Sequence, residues 1–102
     1  MKVHNKLVRD KIPEIIEAAG KQSVTHILSD EEYITALETK LNEEVAEYQE
    51  DKNIEEMADV LEVLQAICIA RGYTLDQFEE VRANKAQERG GFKEKIFLEY
   101  VE

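Results

Sequence analysis

The chain has 102 residues, 43% of them hydrophobic and 35% charged, and a formal net charge of −10. That balance suits one soluble domain, 1–102, with a modest core. It argues against polymeric nucleic acid, whose phosphates need neutralising cations, and no apolar run approaches the ~18 residues of a membrane span.

The opening MKVHNKLVRDK carries Lys2, Lys6, Arg9 and Lys11 but no apolar segment of the kind that directs export. Asp10 is placed to cap a short first helix with Pro13 in its first turn, reading IPEIIEAA and ending at Gly20. Residues 21–28 form a connector. Ser29 and Glu32 have capping-box spacing and predict a second helix over about 30–50. Asp51, Lys52 and Asn53 make a tight turn. Asn53 caps a third helix that continues to Arg71 and stops at Gly72. Thr74 and Gln77 form another capping box, and a fourth helix runs to about Arg89 before Gly90-Gly91. The tail FKEKIFLEYVE is apolar without a helical or strand period. The expected fold is therefore all-α: a compact helical domain with a central antiparallel two-helix hairpin and flanking helices. Cys68 lies in a hydrophobic run and has no partner for an internal disulfide, which fits a reducing cytoplasm.

At about 100° per residue, Tyr33, Leu37, Leu41, Val45 and Tyr48 share one side of the second helix, and Val60, Val63, Leu64 and Ile67 one side of the third. Glu44 and Glu56 fall inside those apolar sectors. Glu47 and Asp59 lie at their edges, while Glu43, Glu50, Glu55 and Glu62 point away. The hairpin midpoint sits between Asp51 and Lys52. Glu47 and Glu56 are equidistant from it, as are Glu44 and Asp59 one turn deeper. Four carboxylates then converge on a helix–helix seam, where they repel one another and lose solvation. A hard divalent cation resolves both problems, and all-oxygen ligation selects Mg²⁺, with Mn²⁺ as a substitute. Mg²⁺ commonly bridges to substrate phosphates, so the pattern suggests phosphoryl chemistry. Three other readings stand beside it: Glu56 as a capping-box residue behind Asn53, the acids as an ordinary solvated face, and the acids as a noncatalytic docking face on a small helical interaction protein.

The pattern Glu43-Glu44-x-x-Glu47 followed by Glu56-x-x-Asp59 resembles the EExxE…ExxD signature of the all-α nucleoside triphosphate pyrophosphatases, the MazG-like superfamily. KLVRDKIPEII at 6–16 and ERGGFKEKIFL at 88–98 are similar to its small phosphoribosyl-ATP pyrophosphatase-like branch. The resemblance implies Mg²⁺-dependent hydrolysis of a nucleotide between the α and β phosphates, giving monophosphate and pyrophosphate. It implies metal ligation and catalysis through Glu44, Glu47, Glu56 and Asp59, and a homodimer or homotetramer with sites near subunit contacts. Lys85 resembles a lysine that follows Asn or Asp in related C-terminal helices. With Asn84, Arg89, Arg9 and Lys11 it makes the set of candidate substrate-binding residues. Only eight residues separate Glu47 from Glu56, fewer than the usual MazG-like spacing. The short turn leaves the acids level but removes a loop that could shape a base pocket. Nucleotide-pool house-cleaning fits the resemblance better than phosphoribosyl-ATP hydrolysis in histidine synthesis.

Overall fold

The computed structural model describes residues Met1–Glu102. It contains four helices and no strand: α1 (Ile12–Ala18), α2 (Asp30–Asp51), α3 (Ile54–Ala70) and α4 (Leu75–Arg89). Each long helix starts where a polar side chain satisfies an otherwise orphaned amide. Ser29 accepts from the Glu32 amide and Glu32 returns the bond, and Thr74 and Gln77 do the same for α4. Asn53 accepts from the Glu56 amide at 2.9 Å.

The α1 cap differs from expectation. Lys11, not Asp10, occupies the cap position, and no side chain caps the helix. Pro13 at the second helical position lacks the amide that an Asp cap would bind. Both α1 and α3 end in left-handed glycines, Gly20 and Gly72. The following amides, of Lys21 and Tyr73, reach back to the Ile16 and Cys68 carbonyls. This closes each helix and turns the chain sharply.

The α2–α3 connection is the pivot of the fold. Lys52 takes φ 54, a left-handed conformation in a non-glycine residue, and its amide donates to the Tyr48 carbonyl at 2.8 Å. Two residues thus reverse the chain, and α2 packs along α3 as an antiparallel hairpin. α4 touches α3 alone. No helix is long and apolar enough to cross a membrane.

The expected compactness is not observed. The radius of gyration is 18.0 Å, against about 13 Å for a compact chain of this length. Leu37 and Val63 are the only buried apolar residues. α3 explains why. It is apolar on two sides: Val60, Val63 and Ile67 lie toward α2, and a second stripe of Ile54, Met57 and Leu61 has no partner, with Leu61 51% exposed. The tail does not fold back to cover it. After a turn at Phe92–Lys95, Ile96, Phe97, Leu98, Tyr100 and Val101 are all exposed.

Candidate metal centre

The hairpin brings Glu44, Glu56 and Asp59 together, with one carboxylate oxygen from each lying within 4.8 Å of the others. Glu44 comes from α2, and the other two from α3. Glu44 is 7% exposed and is the only buried charged residue in the chain. Its Oε1 forms an ion pair with Lys40 Nζ at 3.2 Å, while its Oε2 has no partner. Glu56 Oε2 is likewise buried and unpartnered. The Glu56 carboxylate does not return the Asn53 cap bond, so capping does not use this side chain. Two desolvated, unpaired carboxylate oxygens are costly. An all-oxygen set of this kind fits a hard divalent cation.

Glu47 is exposed and stands outside that triplet, yet it is electrically part of it. The field of Glu44 comes first in holding the Glu47 pKa above its ordinary value of 4.5, with smaller contributions from Glu56 and Glu43. The Glu56 pKa is also raised, by burial first and then by Asp59, Asp51 and Glu44. In the window above 4.5 the folded chain therefore holds more protons than the unfolded chain at these two sites. Stability falls as pH rises through that window. In thermal melts without metal, the midpoint is expected to be higher near pH ~5 than near pH ~7.5, and Mg²⁺ is expected to shrink the gap by replacing protons with a cation. An unchanged pH dependence on adding Mg²⁺ counts against the centre.

Cations from two directions face the acids. Arg9 donates to Asp59 Oδ1 at 2.7 Å, across fifty positions of sequence. Lys40 donates to Glu43 Oε1 at 3.4 Å as well as pairing with Glu44, and Lys6 lies 3.7 Å from Glu43. Burial of the Lys40 ammonium works to lower its pKa, but Glu44 and Glu43 outweigh it and the net displacement is upward. Glu43, whose motif role was open, is thus held in ion pairs rather than left to solvent.

The N-terminal segment completes a cleft of about 340 Å³ between itself, α2 and α3. Arg9 and Lys11 line it together with Lys40, Tyr33, Leu37 and Val63, and Glu44 and Asp59 belong to both cleft and acid cluster. Asn84, Lys85 and Arg89 are exposed on α4, and none of them lines this cleft. Glu62 is exposed as expected but borders the cleft, so Glu50 is the better reference acid. Lys40 and Tyr33 were not singled out from sequence as site residues. Lys40 was findable, because its spacing of three and four residues before Glu43 and Glu44 makes a helical ion pair.

No family model and no solved structure matches the chain. A stretch of 41 residues is 61% identical to an uncharacterized protein of Mycolicibacterium smegmatis (strain ATCC 700084 / mc(2)155), covering 40% of this chain and 42% of that relative.

Proposed function

We propose that the chain is a Mg²⁺-dependent nucleotide pyrophosphohydrolase of the MazG-like kind, cutting between the α and β phosphates to release monophosphate and pyrophosphate. The observation that carries this reading is the buried Glu44, with its unpartnered Oε2, whose carboxylate meets those of Glu56 and Asp59 from the opposite helix. A docking stripe for a basic partner presents its carboxylates to solvent, whereas Glu44 is withdrawn from it.

Glu44, Glu56 and Asp59 would hold the cation, and Glu47 would supply a fourth carboxylate from the rim. A bound Mg²⁺ or Mn²⁺ supplies positive charge to phosphate oxygens and lowers the pKa of water for attack. Lys40 pairs with Glu44 along α2, and Arg9 ties the N-terminal segment to Asp59 on α3. Arg9 and Lys11, at the mouth, offer charge to an incoming polyphosphate. Leu37 and Val63, the two buried apolar residues, line the same cleft as Glu44 and Asp59.

The test is a product-resolved screen of ordinary and modified nucleoside triphosphates, with phosphoribosyl-ATP included as the alternative substrate. Pyrophosphate and a monophosphate are expected, and only with Mg²⁺ or Mn²⁺ present. Orthophosphate with a diphosphate product would rule out the proposed cut. House-cleaning of the cytoplasmic nucleotide pool remains the favoured role. It calls for turnover of noncanonical nucleotides above that of phosphoribosyl-ATP.

The functional unit in this reading is a homodimer or a dimer of dimers. Its support is the uncovered stripe of α3 and the exposed apolar tail, which leave a single chain with almost no core.

A further inference from the structure

The structure assigns a strand-exchange contact between two copies of this chain. Residues 97–101, after α4 of one copy, pair antiparallel with residues 24–28, before α2 of the other, and the second copy returns the exchange. This surface is separate from the α3 stripe, and it stands apart from the metal-dependent reading.

The backbone supplies the first observation. Residues 22–28 and 96–102 are neither helix nor turn, and none of them makes a backbone hydrogen bond. Neither segment contains glycine, proline or a left-handed residue, so nothing in them opposes an extended ladder. Both are rich in side chains that favour strands, SVTHIL before α2 and IFLEYV after α4. Val24, Ile27, Phe97, Leu98, Tyr100 and Val101 all stand in solvent. The two segments therefore do not cover each other within one chain, which stretches over 60 Å. Exposed apolar strands with open amides and carbonyls are templates for pairing with another chain. Gly90 at φ 80 and Lys95 at φ 60 redirect the backbone between α4 and the second segment.

Register is the second observation, and it names the partner. With Glu99 set opposite His26 in the antiparallel sense, Leu98 meets Ile27 and Phe97 meets Leu28. On the other side of that pair, Tyr100 meets Thr25 and Val101 meets Val24. Every apolar residue then faces an apolar or β-branched one, the pairs that stabilise a ladder, and the one acid faces the one imidazole. Sliding by one residue sets Leu98 or Tyr100 against His26, and Glu99 against Thr25 or Ile27. The parallel sense also places Glu99 on His26, but its ladder is weaker per residue. A two-stranded ribbon needs a helix beneath it. Leu98, Ile27, Tyr100 and Thr25 share one uncharged face of the ribbon, and the uncovered stripe of α3 offers a helical surface to receive it. Each copy gives one strand and receives one, so the reciprocal exchange closes as a two-fold pair.

The experiment joins the strands by disulfides in the full chain, with Cys68→Ala removing the native thiol. Residues directly opposite in such a ladder have Cβ atoms about 5 Å apart, a small adjustment from disulfide geometry. One preparation carries Val24→Cys, and a second, isotope-labelled, carries Val101→Cys. Mixed and oxidised, they are expected to give chiefly the mixed disulfide, identified by its mass. Phe97→Cys in place of Val101→Cys, which reads the parallel sense, is expected to give little. Hydrogen exchange on the unaltered chain is the companion measurement. Alternate amides of residues 24–28 and 97–101 should exchange at least about tenfold more slowly than in an unstructured chain. A mixed disulfide no more abundant than those joining two copies of one variant overturns the pairing, as does a preference for Phe97→Cys. A chain carrying both Val24→Cys and Val101→Cys that closes on itself also overturns it, because its own segment then fills the place assigned to a second copy. Exchange at the unstructured rate throughout both segments contradicts the ladder, whether or not the variants fold.

Discussion

Glu44→Gln is expected to reduce Mg²⁺-dependent turnover by at least about 100-fold, since a cation contributes several kcal/mol of charge stabilisation and Glu44 would be its innermost ligand in the proposed centre. Glutamine keeps the volume and leaves Lys40 its hydrogen bond to Glu43, so the fold should persist. Glu56→Gln should cost turnover similarly, for a separable reason. Its carboxyl is held against ionisation by burial and by neighbouring acids. A neutral group there is expected to raise the melting midpoint of the metal-free protein at neutral pH while abolishing the midpoint gain on adding Mg²⁺. Glu50→Gln, exposed on α2 and outside the cluster, should change neither. Melts with and without Mg²⁺, run beside the turnover assay, separate a lost ligand from a lost fold. If Glu44→Gln and Glu50→Gln have the same activity, the acid cluster is not the catalytic centre.

Leu61→Asp is expected to break the assembly and destabilise it by at least about 3 kcal/mol, because a buried aliphatic is lost and a charge is placed without a partner. In an isolated chain the same change should be nearly silent. Leu61 is 51% exposed there, and exposed substitutions usually fall within about 0.5 kcal/mol. The two outcomes are far apart, so the mutation decides whether the second apolar face of α3 is covered. Sedimentation at micromolar concentration should give more than one chain per particle for the wild type and one for Leu61→Asp. A wild-type monomer with full activity, or an unperturbed Leu61→Asp, contradicts assembly through α3.

The helices were legible because their starts are written in short-range chemistry. Ser29, Asn53 and Thr74 each accept from the amide three residues on. The pairing of Glu44 with Asp59 was legible too, since a short turn between two regular helices fixes which residues stand level. Asp10 misled because the cap reading overlooked that Pro13 removes one of the amides such a cap would bind. The contact of Arg9 with Asp59 was beyond reach. It depends on the path of an irregular segment that no periodicity controls. Compactness failed for a different reason. Apolar positions in the sequence say what must be covered but not by which chain, and Ile54, Met57 and Leu61 are left for something other than α2. The cleft was half visible: Arg9 and Lys11 were candidates on resemblance, while Tyr33 and Leu37 read simply as core.

Direct Mn²⁺ titration, followed by the loss of the free-ion electron paramagnetic signal, asks whether the hairpin seam holds a divalent cation at all. It requires no substrate and no knowledge of the base. Saturable binding by the wild type and by Glu50→Gln is expected, displaced by excess Mg²⁺ and weakened by about tenfold or more in Glu44→Gln and Asp59→Asn, each of which removes a charged oxygen ligand. Equal binding by all four folded proteins, or none by the wild type, would contradict a metal centre at Glu44, Glu56 and Asp59.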